Sequence, residues 1–220
     1  MVVHVAKRAK LAKSLQQVIV CTDHEGIVKA CADHAIDVCI TSSMCLNGTE
    51  RIFEASNNLG LNDEDIIIDI QGDEPLVSPE SIDLVVEETI KNLPKFDIVL
   101  PHLTPCPKDN KNIVKVISSG KKVVYLTRSD SPYPFIGETL LKKHLSVIGF
   151  SKKSLANFAM LPIGELENIE GVELLRAIEG GMKLMTFSIN SDSFSVDTSE
   201  DFEKAERALL RCPLFREHYK

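Results

Sequence analysis

Apolar positions recur along the chain with two periods, and the switches between them mark the expected elements. Val2, Val3, Val5, Ala6 and Ala9 fall at helical spacing among lysines, which predicts an opening amphipathic helix. Short apolar runs at residues 17–22 (QVIVCT), 37–41 (DVCIT), 65–70 (DIIIDI) and 96–101 predict buried strands. Helical spacing at residues 25–34, 49–58 and 79–91 fills the gaps between them. Ser78 is the expected N-cap of the third of these helices, with Pro79 at its first position. Strands interleaved with helices of this length argue βαβ units.

The rhythm changes after Pro101. Residues 114–117 and 123–127 read as two strands joined by a turn containing Gly120, a hairpin rather than a crossover. A strand is expected over 145–150, one long helix over 166–180 closed by Gly180 and Gly181, and a strand over 182–189. Thr198 is the expected N-cap of a last helix reaching about Leu210, with Glu200 and Asp201 in the first turn, where the helix dipole favours negative charge. The expected fold class is therefore α/β: a Rossmann-like, mostly parallel sheet with helices on both faces and a small inserted antiparallel lobe at roughly residues 105–165.

Composition narrows the function classes. With 25 Lys plus Arg against 32 Asp plus Glu the formal net charge is -7, and no basic block interrupts the sequence. Nucleic acid is an unexpected partner, because phosphate neutralisation dominates that affinity. No apolar run approaches the roughly 20 residues a bilayer-crossing helix needs, so no membrane partner is expected. The six cysteines, at 21, 31, 39, 45, 106 and 212, form no C-x-x-C pair; they read as reduced residues of a cytoplasmic protein.

Candidate chemistry sits where strands end, since open α/β sheets bind ligands beyond the carboxyl edge. In IIIDIQGDEP (66–75) four apolar positions drive a strand inward, and Gln71, Gly72, Asp73 and Glu74 then emerge. Adjacent carboxylates repel unless a cation joins them, and Mg²⁺ suits them; a solvated turn ahead of Pro75 is the plain alternative. In SVDTSED (195–201), Asp197 lies between a strand-like run and a helix start. It is either a helix-entry carboxylate or, paired with Asp73, the second ligand of a metal that neutralises a nucleotide α-phosphate.

These residues carry a resemblance. QGDEP, NGTER (47–51), NIVKVI (112–117), LTR (126–128), KHLSVIGF (143–150), LEN-x-EG-x-ELLRAIEGG (166–181) and VDTSEDFEKA (196–205) occur in the order found in the 3-deoxy-manno-octulosonate cytidylyltransferase (CMP-Kdo synthetase) family, which the chain resembles along nearly its whole length. The resemblance implies transfer of CMP from CTP to Kdo with release of diphosphate, in lipopolysaccharide biosynthesis, by a Mg²⁺-dependent homodimer. It implies Asp73 and Asp197 as catalytic, metal-binding carboxylates, Gln71, Gly48 and Thr49 as nucleotide contacts, and Arg128, His144 and Glu173 on the acid-sugar side.

Three departures accompany it. The family's opening strand and basic phosphate loop have no counterpart, so the chain reads as a single nucleotidyltransferase-like domain over 1–220, N-terminally truncated relative to that family. Cys45, Leu46 and Asn47 stand where the family has His-Gln-Ser, and Leu174 where it has Gln. Two alternatives stay open: a cytidylyltransferase for another sugar acid, an amino-Kdo or a nonulosonate, and a non-catalytic fragment that only binds a partner or sugar.

Overall fold

The computed structural model of the chain describes residues 1–93 and 95–218. Its first half follows the expected alternation: α1 (Val2–Ala9), β1 (Ile19–Thr22), α2 (Glu25–Ala32), β2 (Asp37–Ile40), α3 (Gly48–Asn58), β3 (Ile66–Ile70), α4 (Pro79–Asn92) and β4 (Ile98–Leu103). The second half holds β5 (Lys115–Ser119), β6 (Lys122–Thr127), β7 (Lys143–His144), β8 (Val147–Ser151), α5 (Lys152–Ala159), α6 (Glu165–Glu170), α7 (Leu174–Glu179), β9 (Leu184–Ser188), α8 (Ser199–Arg211) and α9 (Pro213–His218).

Local chemistry sets the helix starts. The Ser78 hydroxyl accepts the Ser81 N–H at 3.0 Å to open α4. At α8 the Thr198 hydroxyl accepts from the Asp201 N–H while the Asp201 carboxylate accepts from the Thr198 N–H, each at 3.2 Å, a reciprocal cap that satisfies two otherwise orphaned donors. Gly120, at a φ of 57°, makes the left-handed turn between β5 and β6.

The strands form a seven-stranded sheet in the order β3-β8-β4-β7-β5-β6-β9, with β9 also pairing along β4, and a separate parallel pair β1-β2. The α/β class stands, but the sheet is mixed. Besides β1-β2, only β4-β9 is a parallel ladder among the described residues. Strand β8 runs antiparallel between β3 and β4, with Ile66 opposite Ser151 and Ile98 opposite Phe150. Strands β3, β4 and β9 nevertheless point the same way.

The expected lobe at 105–165 divides in two. The β5-β6 hairpin extends the main sheet and pairs with β9, whereas β8 joins its centre and α5 packs on α3. Strands β7 and β8 run the same way, both antiparallel to β4, so Leu145 and Ser146 interrupt one ladder without reversing the chain. The single helix expected over 166–180 is also corrected. Gly171 turns left-handed, with φ 62° and ψ 41°, and ends α6, so α7 starts afresh.

Helices cover both sheet faces. Ile67, Ile98, Leu100, Ile148 and Phe150 pack with Phe53 of α3, Leu155 and Phe158 of α5 and Leu175 of α7. Ile68, Ile70 and Val147 pack with Val5 and Ala9 of α1 and with Ile82 and Val85 of α4. Adjacent β3 residues thus serve opposite cores, as strand pleating requires. Gly149 of β8 lets α4 close in, for a Cβ there would collide with the Thr89 side chain.

Two resemblance segments are tied by a buried cation. Arg176 of α7 grips Glu167 of α6 through Nε and Nη2 at 2.7 and 2.6 Å, reaches Glu50 of α3 at 2.9 Å, and lies 5.2 Å above the Phe158 ring. The fork geometry and its burial fix the start of α3 against α6 and α7. All six cysteines are free, and among the described residues no helix is long and apolar enough to cross a membrane.

Candidate active site

A cleft of about 1220 Å³ opens at the carboxyl ends of β3, β4 and β9, which point the same way. Gln71 and Asp73 enter it after β3, Leu103 and Thr104 at the end of β4, and residues 189–195 and Asp197 after β9. Asn112, Arg128, Lys143 and His144 line it from the hairpin and β7. The structure therefore gathers five of the eight expected site residues, Gln71, Asp73, Asp197, Arg128 and His144, around one space.

Asp73 and Asp197 are brought together by the backbone. The Val196 N–H donates to the Asp73 carbonyl at 3.0 Å, which lays the segment before Asp197 against the turn after β3. Burial raises the Asp73 pKa, and the charges of Glu74 and Asp197 add to the rise. Its Oδ1 is buried without a hydrogen-bond partner. Among the described residues no three or more His, Cys, Asp or Glu side chains converge as a self-sufficient metal site. Mg²⁺ does not require one, since it is commonly held by one or two carboxylates together with substrate phosphate and water. The orphaned oxygen and the clustered negative charge fit such an ion.

Arg128 is committed more deeply than the sequence suggests. Its Nε donates to the Glu170 carbonyl at 2.8 Å, Nη1 to the carbonyls of Lys111 and Asn112 at 3.1 Å each, and Nη2 to that of Gly171 at 3.2 Å. A guanidinium has five N–H donors, so one on Nη2 remains for a ligand. Fully buried Lys115 supports this corner, donating to the Asn110 and Arg128 carbonyls at 2.6 and 2.8 Å and pairing with Asp130 at 3.1 Å. Burial, with Lys143 alongside, pushes the His144 pKa down to about 4. The imidazole is therefore neutral at physiological pH, and its buried Nδ1 has no partner.

Gly48, Thr49 and Glu173 lie apart from the residues lining the cleft. Thr49, fully buried at the start of α3, donates its N–H to Glu173 Oε2 at 3.4 Å, while its hydroxyl has no partner. No neighbouring atom lies within 4 Å of where a Cβ on Gly48 would sit. Burial raises the Glu173 pKa. Beside this group stands Asp69 of β3, buried and with Oδ2 unpartnered; burial, then Glu173 and Asp73, push its pKa up to about 7.

Sequence reasoning missed Asp69, Lys143, Ser193 and Ser195. A carboxylate inside DIIIDI and the serine alternation in SDSFS were the visible signals. Lys143 adds a cation to the cleft and donates to the Ser193 carbonyl at 3.3 Å.

Comparison with known proteins bears on this arrangement. The chain is 35% identical over 209 residues, 93% of its length and 87% of the relative's, to the 3-deoxy-manno-octulosonate cytidylyltransferase of a Nitratiruptor species. It is 36% identical over 214 residues, covering 95% of the chain and 87% of the relative, to the 8-amino-3,8-dideoxy-manno-octulosonate cytidylyltransferase of Shewanella baltica. Its fold is similar to that of a CMP:2-keto-3-deoxy-manno-octonic acid synthetase solved in complex with CTP, with a TM-score of 0.86 at 24% identity over 94% of this chain and 86% of that one. A cytidylyltransferase family model matches residues 1–184. The chain belongs to the cytidylyltransferase family.

Proposed function

We propose that the chain transfers the CMP group of CTP to an eight-carbon acid sugar, 3-deoxy-manno-octulosonate or its 8-amino relative, and releases diphosphate. The observation that carries the reading is the meeting of Asp73, with its buried unpartnered oxygen, and Asp197 in a cleft that also holds Arg128, Lys143 and His144. The names of the two relatives support this substrate class over a nonulosonate. In the reaction the anomeric hydroxyl oxygen bonds to the α-phosphorus, the bond from that phosphorus to the oxygen bridging to the β-phosphate breaks with its electron pair leaving on the diphosphate, and the hydroxyl proton passes to solvent.

Asp73 and Asp197 would hold Mg²⁺, which when bound supplies positive charge to the α-phosphate and to the departing diphosphate. On the sugar side, the free N–H of Arg128 and the Lys143 ammonium attract the carboxylate. Neutral His144 offers a hydrogen bond rather than a charge. Gln71 is the proposed nucleotide contact within the cleft. Gly48 and Thr49, with open space at one and an unpartnered hydroxyl at the other, are proposed nucleotide contacts from the side, and Glu173 a sugar contact.

Diphosphate release with CTP should depend on a 2-keto-3-deoxy eight-carbon acid and be negligible with a nonulosonate. Equal or faster release with the nonulosonate would overturn the substrate assignment.

The reaction is proposed as cytoplasmic, where CTP is made and where free cysteines persist. A homodimer belongs to the same proposal, supported by the exposed cluster Tyr133, Phe135, Ile136 and Leu140 between β6 and β7. Sedimentation velocity should give about twice the 24.4 kDa chain mass; a monomer at micromolar concentration would contradict this.

A further inference from the structure

We infer that Glu74 is a positioning residue that holds Asp197 opposite Asp73. The inference rests on the reading of those two aspartates as metal ligands. Glu74 is fully buried, an expensive place for a carboxylate unless it is hydrogen-bonded. Its two oxygens are met by two hydroxyls from one distant segment: Ser193 Oγ donates to Oε2 at 2.5 Å and Ser195 Oγ to Oε1 at 3.0 Å.

The segment after β9 needs such a clamp. Residues 189–197 have no helix or strand of their own, yet they carry Asp197 from the end of β9, beyond β8 and β4, to the turn after β3. Ser193, Ser195 and Asp197 are spaced two apart, the interval at which an extended chain presents successive side chains to the same side. The Val196 N–H on the Asp73 carbonyl and the Lys143 ammonium on the Ser193 carbonyl complete the attachment.

Glu74 is itself fixed from behind. Its N–H donates to the Gln71 carbonyl at 3.2 Å, closing the turn that presents Asp73. Buried Arg8 of α1 then holds the following residues, with Nε on the Val77 carbonyl at 2.6 Å and Nη2 on that of Leu76 at 3.3 Å. Rigidity therefore passes from α1 through Glu74 to the coil carrying Asp197. Loss of groups that orient metal ligands in this way typically costs about 10- to 100-fold in metal affinity or activity.

The test compares the parent with Ser193→Ala/Ser195→Ala and with Glu74→Gln, which keeps the side-chain shape and one acceptor oxygen. Mn²⁺ affinity is read by the electron paramagnetic resonance of free Mn²⁺, with and without CTP, alongside the Mg²⁺ dependence of turnover and the melting temperature. The double serine variant should bind Mn²⁺ roughly tenfold more weakly and need a correspondingly higher Mg²⁺ concentration for half-maximal rate, with a smaller loss of kcat at saturating Mg²⁺. Glu74→Gln should fall between it and the parent. Unchanged metal affinity in the serine variant, or a loss of kcat with no change in metal requirement, overturns the inference while leaving the metal reading in place. A parent that binds no Mn²⁺ in the presence of CTP overturns the metal reading and the inference with it.

Discussion

Asp73→Asn is expected to lower turnover about 100- to 1000-fold while the protein stays folded, on the scale that loss of an essential charge-stabilising group has elsewhere. The change is nearly isosteric and removes one full negative charge where metal and α-phosphate are proposed to meet. The bond that joins this turn to the 190–197 segment uses the Asp73 backbone carbonyl, so it survives the substitution. Burial and the neighbouring charges of Glu74 and Asp197 hold the Asp73 pKa up, which means that its ionised form is strained in the free protein. The amide relieves that strain, and the melting temperature should be unchanged or higher. Activity within threefold of the parent, measured by diphosphate release, would remove Asp73 from the metal site; a collapsed far-ultraviolet spectrum would show that it serves the fold.

A second large effect is expected at Asp69, in stability rather than rate. Its pKa is about 7 in the fold against 3.8 for an unperturbed carboxyl. Between those values the folded protein binds a proton that the unfolded chain has released. The contribution of Asp69 to stability is therefore most favourable below about pH 4, falls as pH rises through the window, and reaches its full loss above pH 7. The difference corresponds to about 4 kcal/mol. Asp69→Asn replaces a protonated carboxyl with an amide of the same shape, so it should leave stability at pH 4 nearly unchanged and raise it at pH 8 by up to about 4 kcal/mol. Urea unfolding of both proteins at the two pH values reads this directly. A variant that is no more stable at pH 8 would mean that the carboxylate is compensated where Oδ2 is now unpartnered.

Elements governed by neighbours in sequence were legible from the residues alone. Ser78, Pro79 and Thr198 announce helix starts through bonds that close within three residues, and Gly120 marks a turn for the same local reason. What depends on distant partners was not legible. Strand β8 reads as a buried strand in isolation, but its antiparallel place between β3 and β4 is decided by both neighbours at once. The break at Gly171 was hidden because Leu166, Ile169 and Leu174 keep a helical apolar spacing across it.

The same division runs through the site. Asp73 and Asp197 stood out because each follows a strand-like run, Asp73 ahead of the turn at Pro75 and Asp197 ahead of a helix start. The commitment of Arg128 to four carbonyls could not be read from LTR, since those carbonyls come from residues 111–112 and 170–171. Asp69 was passed over as part of an apolar strand, although one carboxylate among isoleucines is a signal that burial should have flagged.

The most direct test of the central claim is a ³¹P nuclear magnetic resonance measurement of the 220-residue chain, at concentrations stoichiometric with substrate, mixed with CTP, Mg²⁺ and 3-deoxy-manno-octulosonate. At that concentration even slow transfer accumulates product. A new phosphodiester resonance from the CMP-sugar and an equal amount of diphosphate are expected, both absent with Asp73→Asn and both absent when Mg²⁺ is chelated. CTP and sugar persisting unchanged with the parent protein, or diphosphate appearing at the same rate with Asp73→Asn, would contradict that claim.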